Sequence, residues 1–317
     1  MSRLRNFKGW HEATLGLLLA GLLAWAGRVE PAFLSARSQA ELATHSWEMA
    51  LVAVPMTLLI VMGGIDLSVG STLALAAVVL GLTYEAGVSA WAGAVLAVLT
   101  GCACGALNGL FITRLRVHPL IVTLATLAAF RGVAEGISLG RPISGFPDSF
   151  AVIGRGTFLG IQVPALFVAA AATAAALLLA RMPTGRFIYA IGHNETATRF
   201  SGIAVDRIKM WLYTLAGAAA GLAAVLLVAR RNTAKADLAG GLELDVITAV
   251  VLGGVSIYGG RGNMAGVLLG LVLIHETREF VSWHWNRAEL NLVVIGVMLI
   301  VAVMLNRVLA RGGRTKD

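Results

Sequence analysis

Two polar constellations in an otherwise apolar chain hold the residue types that could do chemistry or grip a partner. The first is GGIDLSVGS, Gly63 to Ser71, which interrupts two apolar stretches, Met49 to Met62 and Gly70 to Thr83. A carboxylate at membrane depth is costly, and short apolar segments broken by glycine point to transport sites, so Asp66 is a candidate for a substrate or ion path. The same residues also make a hinge. Asp66 and Ser68 would then cap the free N–H groups that open the next helix, while Gly63 and Gly64 permit the turn and Gly70 follows it. Asn108 and Arg131 are two further candidates, each either on a path or in a structural contact. Asn108 lies among glycines where a bond across a helix contact is expected, and Arg131 is a buried or cavity-facing cation or one whose stem snorkels.

The second constellation is the block Arg181 to Lys209, RMPTGRFIYAIGHNETATRFSGIAVDRIK, with apolar walls on both sides. Asn194 can accept from the free N–H groups of a first turn, Glu195 suits the positive end of a helix dipole, and Gly202 is placed to stop the helix in a left-handed conformation. The result is a helix of about two turns, too short to be stable in water without a surface to lie against. Ala197 and Phe200, three residues apart, share a face that could fill a groove in a partner, with Glu195 and Arg199 beside it. An ordinary cytoplasmic loop whose helix packs on its own protein fits the same pattern.

Long apolar elements must position both constellations. Of 317 residues, 58% are hydrophobic and 13% charged, with a mean hydropathy of +0.82, a composition that a polytopic membrane protein can expose to lipid and a soluble domain cannot hide. The net charge of +8 comes in short bursts between apolar runs rather than on one face, which argues for cytoplasmic loops and against nucleic acid. Cys102 and Cys104 point to nearly opposite sides of a helix and read as packing residues. No Walker A pattern occurs, so any ATP hydrolysis belongs to another chain; no cofactor or metal site is expected.

In chain order the apolar runs suggest about ten spans. Thr14 to Gly27 also imitates a signal peptide but is read as a retained first span. Trp91 to Thr113 carries Gly101, Gly105 and Gly109 on one face, and Met210 to Ala229 carries Gly217 and Gly221, so both invite a close neighbouring backbone. Pro119 to Ile137 and Pro164 to Ala180 lie between them, joined by a loop from Ser138 to Val163 rich in Gly, Pro and Ser. A short eighth run, about Asp245 to Tyr258, turns at Gly259 to Asn263 into a ninth, Met264 to Phe280, and Leu290 to Leu305 is the last. Trp283, His284 and Trp285 suit an interfacial aromatic belt. With both termini inside, the cytoplasmic segments carry 15 Lys and Arg against 9 outside, as the positive-inside rule requires.

The run GRFIYAIGHNETATRFSGIAVDRIK resembles the cytoplasmic coupling segment of the ribose-type permeases of bacterial ATP-binding-cassette importers, the monosaccharide and autoinducer-2 branch. GGIDLSVGS resembles that family's most characteristic motif, and ELDVITAVVLGGVSIYGGRGNMAG, Glu243 to Gly266, is a third match. The three stand in the family's order, and the resemblance covers roughly Leu15 to Asn306. His193 departs from the pattern, many members carrying Gly there. The resemblance implies a single all-α permease domain, residues 1–317, in the bacterial inner membrane with both termini cytoplasmic, and a coupling segment, 181–209, whose helix sits in a cleft of an ATPase subunit. It also implies a periplasmic solute-binding protein, a second permease copy or paralogous permease, surrounding membrane lipid, and a monosaccharide-like substrate such as ribose, xylose, rhamnose, galactose or autoinducer-2. The alternative is an ion-coupled secondary transporter, which needs intramembrane carboxylates or histidines; on the sequence, the spans offer almost none besides Asp66. A membrane enzyme lacks a clustered catalytic or metal-binding set.

Overall fold

The protein, as a computed structural model, is described for residues 9–285 and parts of 289–300. It is helical throughout. The helices are α1 (Trp10–Val29), α2 (Ala36–Ala43), α3 (Trp47–Met62), α4 (Val69–Glu85), α5 (Ala90–Arg114), α6 (Pro119–Ser138), α7 (Asp148–Arg155), α8 (Val163–Arg181), α9 (Pro183–His193), α10 (Glu195–Phe200), α11 (Val205–Arg231), α12 (Leu242–Leu252) and α13 (Met264–Trp285). A 3-10 turn, Pro31–Leu34, lies between α1 and α2, and there are two pairs of two-residue strands: β1 (Ile143–Ser144) with β4 (Thr233–Ala234), and β2 (Thr157–Phe158) with β3 (Ile161–Gln162), both antiparallel.

Helices α3, α4 and α11 form the centre. They are apolar on nearly every face because they are buried on nearly every face, as a helix inside a membrane bundle must be. Around them, α5, α6 and α8 bury one side and leave leucines such as Leu99, Leu124 and Leu177 exposed, the composition of a lipid-facing ring. Helices α1 (from His11), α5, α6, α8 and α11 are each long and apolar enough to cross a membrane, and the bent pair α2–α3 makes a sixth candidate. The last expected run, Leu290 to Leu305, lies largely outside the described residues, as do Arg3, Arg5 and Lys8.

The expected glycine faces on α5 and α11 meet each other. A Cβ at Gly105 would run into the Tyr213 carbonyl, and one at Gly217 into the backbone of Gly101 and Gly105, so the two helices pack backbone to backbone. Small residues at this spacing are what membrane helices use where lipid supplies no hydrophobic drive between them. The contact runs antiparallel and fixes α11 as a strut of about 40 Å at 1.5 Å per residue, with α10 near its start and Arg230 at its far end.

Three expectations need correction. The segment from Ser138 to Val163 is not a plain loop: Phe146 and Phe150 are buried, α7 packs on α11, and β1 pairs with β4, so it forms a folded cap at the far end of α11. Turn signals in the sequence hid the two aromatic anchors. The eighth run begins earlier and is shorter than expected, as α12, because residues 253–263 leave the helix for a glycine turn. The scarcity of ionisable groups in the core was also overstated, since Glu48, Asp245, His275 and Glu276 are all buried.

Candidate functional site

Helix α10 forms as its sequence predicts. The Asn194 side chain accepts from the Ala197 amide at 2.9 Å, Glu195 lies in the first turn, and Gly202 takes a φ of +81° after the helix ends. Its two sides differ in kind. On the inner side, Thr198 is buried and donates to the Asn194 carbonyl, while Glu195 and Arg199 turn toward α11. Arg199 makes a bidentate pair with Asp206, both contacts 2.7 Å, and also reaches Glu195, which accepts from Lys209 at 2.6 Å. The Asp206 carboxylate, followed by Glu195, holds the Arg199 guanidinium even further above its usual range, so its charge in the brace is permanent. On the outer side Ala197 is exposed and Phe200 is 88% exposed.

The sequence placed Glu195 and Arg199 in the partner's cleft with Ala197 and Phe200. In the structure both also clamp α10 to the start of α11, through Asp206 and Lys209, while remaining 43% (Arg199) and 41% (Glu195) exposed. Asp206 and Lys209, the other half of that clamp, were missed, although their spacing from Arg199 across the Gly202 turn was there to read.

Below α10 the chain runs straight into α9, with only Asn194 between them. The C-terminal end of α9 reaches the two other motifs. A Cβ at Gly192 would strike the Val61 carbonyl and the Gly260 amide, and one at Gly259 would come within 3.0 Å of the Gly192 Cα and 3.1 Å of the Gly63 Cα. The Gly260 amide donates to the Val61 carbonyl at 2.8 Å, and the Tyr189 hydroxyl donates to the Gly262 carbonyl at 2.7 Å. Gly63, with a φ of +90°, ends α3 at this same point. Three motifs far apart in sequence thus touch through bare backbone. His193, the departure from the family pattern, packs its ring where a Cβ at Gly260 would lie.

Past Gly63 and Gly64 the break is held by a buried chain of hydrogen bonds. Asp66, 2% exposed, accepts from the Ser68 amide at 2.8 Å and from its hydroxyl at 2.7 Å, and Ser68 Oγ in turn accepts from Asn108 Nδ2 at 2.8 Å. Asp66 therefore holds the turn before α4 through Ser68 and caps none of the first-turn amides of the helix itself. Ser68 differs from expectation: its hydroxyl caps nothing and instead links Asp66 to α5. Asn108 thus bonds across from α5 to the hinge, and its buried Oδ1 has no partner among the described residues. Gly70 sits where a Cβ would meet the Ala239 carbonyl and Glu243, so the start of α4 is pressed against the segment leading into α12. Arg131 is half-buried and bonded to backbone, in line with the buried alternative. It donates to the carbonyls of Ala236 and, at 2.9 Å, Leu238, pinning residues 232–241 along α4.

At the far end of α11 two buried ion pairs join elements that the sequence keeps apart. Arg230 donates through Nε and Nη2 to Glu48 at 2.9 and 3.2 Å, and Arg278 pairs with Asp245. Trp25, Phe33 and Phe280 pack edge to face nearby, and His284 Nδ1 lies 3.1 Å from Glu30, so this face is tied to α1 rather than simply ringed by an aromatic belt. Cys102 and Cys104 are free thiols, Cys104 buried. Among the described residues no three His, Cys, Asp or Glu side chains gather as a metal site.

Comparison with known proteins gives the family. Residues 39–303 match the family described as the permease component of branched-chain amino acid transport systems. The ribose import permease protein RbsC of Bacillus subtilis is 38% identical over 295 residues, covering 92% of this chain and 91% of that protein. The autoinducer 2 import system permease protein LsrD of Klebsiella pneumoniae is 33% identical over 301 residues, 93% of this chain and 90% of its own. LsrD of Yersinia enterocolitica is 36% identical over 262 residues, 81% and 79%. No solved structure matches.

Proposed function

We propose that this chain, which belongs to the family of branched-chain amino acid transport permease components, is the membrane-spanning subunit of an ATP-binding-cassette importer for a monosaccharide or sugar-like molecule. A permease component is a transport subunit, and the long apolar helices make it a multi-pass membrane protein. The finer reading is about ten spans in the bacterial inner membrane with both termini cytoplasmic. A separate ATPase subunit supplies the energy, a periplasmic binding protein delivers the substrate, and a second copy or a related permease completes the membrane unit. Relatives that import ribose and autoinducer 2 support a sugar-like cargo over an amino acid.

One observation carries the proposal: α10 is a helix of 6 residues clamped rigidly on its inner side while its outer side presents Ala197 and a Phe200 that is 88% exposed. So short a helix does not persist without tertiary support, and the clamp supplies that support while leaving the apolar face open for a cleft. Closure of the ATPase around α10 would push α9 along its axis, and the glycine contacts would pass the push to Gly63 at the α3–α4 break and to Gly259 and Gly260 before α13. Beside these backbone contacts the His193 ring packs on Gly260.

The buried Glu276 and His275 favour the alternative of ion coupling more than the sequence did, because Glu276 Oε2 and His275 Nε2 have no partner among the described residues. Energisation separates the two. In cells expressing the whole system, uptake should stop when ATP is depleted by arsenate and survive collapse of the ion gradients by ionophores. Uptake that survives arsenate and dies with the ionophores would overturn the ATP-driven reading.

A further inference from the structure

At the end of α11 opposite α10 lies a cavity of about 510 Å³, between α3, α4, α11, α12, α13 and residues 237–240. That is within the range of sites for small molecules, roughly 300–1,000 Å³. Its apolar lining comes from Met49, Leu73, Leu227 and Leu242, and its polar lining is built from charges. The Glu48–Arg230 and Asp245–Arg278 pairs both reach it, Glu48 being 5% and Asp245 7% exposed.

Burying ion pairs is a poor way to gain stability, since desolvation offsets most of the attraction and apolar residues of similar size often do better. Two such pairs beside a void therefore call for another reason. Each pair keeps unused capacity: a guanidinium has five N–H donors and a carboxylate about four lone-pair sites, and Arg230 spends two donors on Glu48. His275, also in the lining and 8% exposed, has an Nε2 with no partner among the described residues. The charges nearly cancel, with three guanidiniums (Arg230, Arg231, Arg278) against four carboxylates (Glu48, Asp237, Asp245, Glu279). A site for an ion of either sign would carry an excess of the opposite charge. Donors and acceptors in near balance suit a neutral solute whose hydroxyls each give one hydrogen and accept others, and the leucines suit the C–H face of its ring.

We propose that this cavity is the loading site of the transport path and holds one neutral polyhydroxylated ring between the Glu48–Arg230 and Asp245–Arg278 pairs, with His275 as a third hydrogen-bonding group. The proposal rests on the importer reading, which puts α10 on the ATP side and so puts this cavity on the side of delivery. Leu73 lies in the first two turns of α4, so the cavity ends close above the Asp66 hinge. A shift at the glycine contacts would therefore be felt at its floor.

The test is substrate protection of single cysteines in the whole system, with Cys102 and Cys104 replaced by alanine and the ATPase and binding protein co-expressed. Leu242→Cys lies in the lining, Asp237→Cys gives a second and more exposed position there, and Leu159→Cys is an 87% exposed control elsewhere. The rate of modification by a small sulfonated thiol reagent is read with D-ribose, D-xylose, L-rhamnose, D-galactose, autoinducer 2 and L-leucine in turn. The sugar that is taken up should slow labelling of Leu242→Cys and Asp237→Cys about five-fold or more and leave Leu159→Cys unchanged, with no effect of L-leucine. In the same system His275→Leu should raise the KM for uptake about ten-fold with little change in the maximal rate, and His275→Gln should restore much of it. Normal uptake without slowed labelling overturns the loading site and leaves the importer reading intact. Slowing by the binding protein without sugar also overturns it, by making the cavity a docking socket. If neither the four sugars nor autoinducer 2 is taken up, the sugar reading itself fails and takes this proposal with it.

Discussion

The two ends of α11 solve opposite problems. At the α10 end, Gly63, Gly192, Gly259 and Gly260 meet backbone to backbone with the His193 ring against Gly260, and an ion-pair cluster braces a single short helix. At the far end, contacts are made by long charged side chains reaching across a void, Glu48 to Arg230 and Asp245 to Arg278. Backbone contact transmits displacement. Paired charges around a cavity hold a polar interior open. The difference is that between a joint and a container.

Breaking the container should cost the most. Arg230→Met leaves Glu48 buried without its partner, and loss of one member of a buried pair costs about 3–5 kcal/mol, read as a fall in the melting temperature of the purified complex. The double change Glu48→Gln with Arg230→Met should recover much of that, since neither charge is then left alone. A single variant as stable as wild type would mean that water or lipid, not Arg230, balances Glu48.

Stiff contact at the other end predicts a different phenotype. Gly192→Ala forces a Cβ against Val61 and Gly260, which must give way at about 1–3 kcal/mol. The expected result is a protein that inserts and keeps its ATPase but imports at least ten-fold more slowly. Unchanged uptake would break the contrast, because the joint would then be dispensable.

The hinge between the two ends should tolerate a change of charge and not a change of shape. Asp66→Leu strands the Ser68 amide and hydroxyl at about 1–3 kcal/mol, whereas Asp66→Asn keeps an oxygen where both can donate and should keep most transport. Folded Asp66→Asn protein with no uptake would return Asp66 to the substrate or ion path. The smallest effect is expected from Asn194→Ala, which removes one cap from α10 at about 1 kcal/mol and should weaken ATPase retention modestly while the Arg199–Asp206 clamp remains.

The same contrast explains what the sequence could tell. Caps and stops are local: Asn194, Glu195 and Gly202 lie within one short stretch, so α10 was legible with its ends, and the glycines of α5 and α11 announced a face even before each was known to be the other's partner. The Asp66 hinge was legible for the same reason, its bonds to Ser68 spanning two positions. Arg230 and Glu48 stand 182 positions apart, and nothing in either segment names the other. In the sequence Arg230 and Arg231 enter only the count of Lys and Arg on the two sides, and Asp245 only marks the start of the eighth run. Arg131 could be flagged as costly, but its acceptors, two carbonyls 105 and 107 positions on, carry no signature in side-chain type. The folded cap from 138 to 163 was hidden because turn residues outnumber the two phenylalanines that anchor it.

The account stands or falls on the exposed face of α10. Ala197→Glu puts a charge on the face meant for a cleft, does not touch the Glu195–Arg199–Asp206–Lys209 clamp, and lies at the opposite end of α11 from the cavity. The measurement is ATPase retention on purification of the permease from membranes, read beside sugar uptake in the same cells. The predicted result is normal insertion, ATPase lost or retained without sugar-stimulated hydrolysis, and no uptake. Wild-type retention together with wild-type uptake would contradict the account, leaving α10 an ordinary loop helix and the joint below it without a driver.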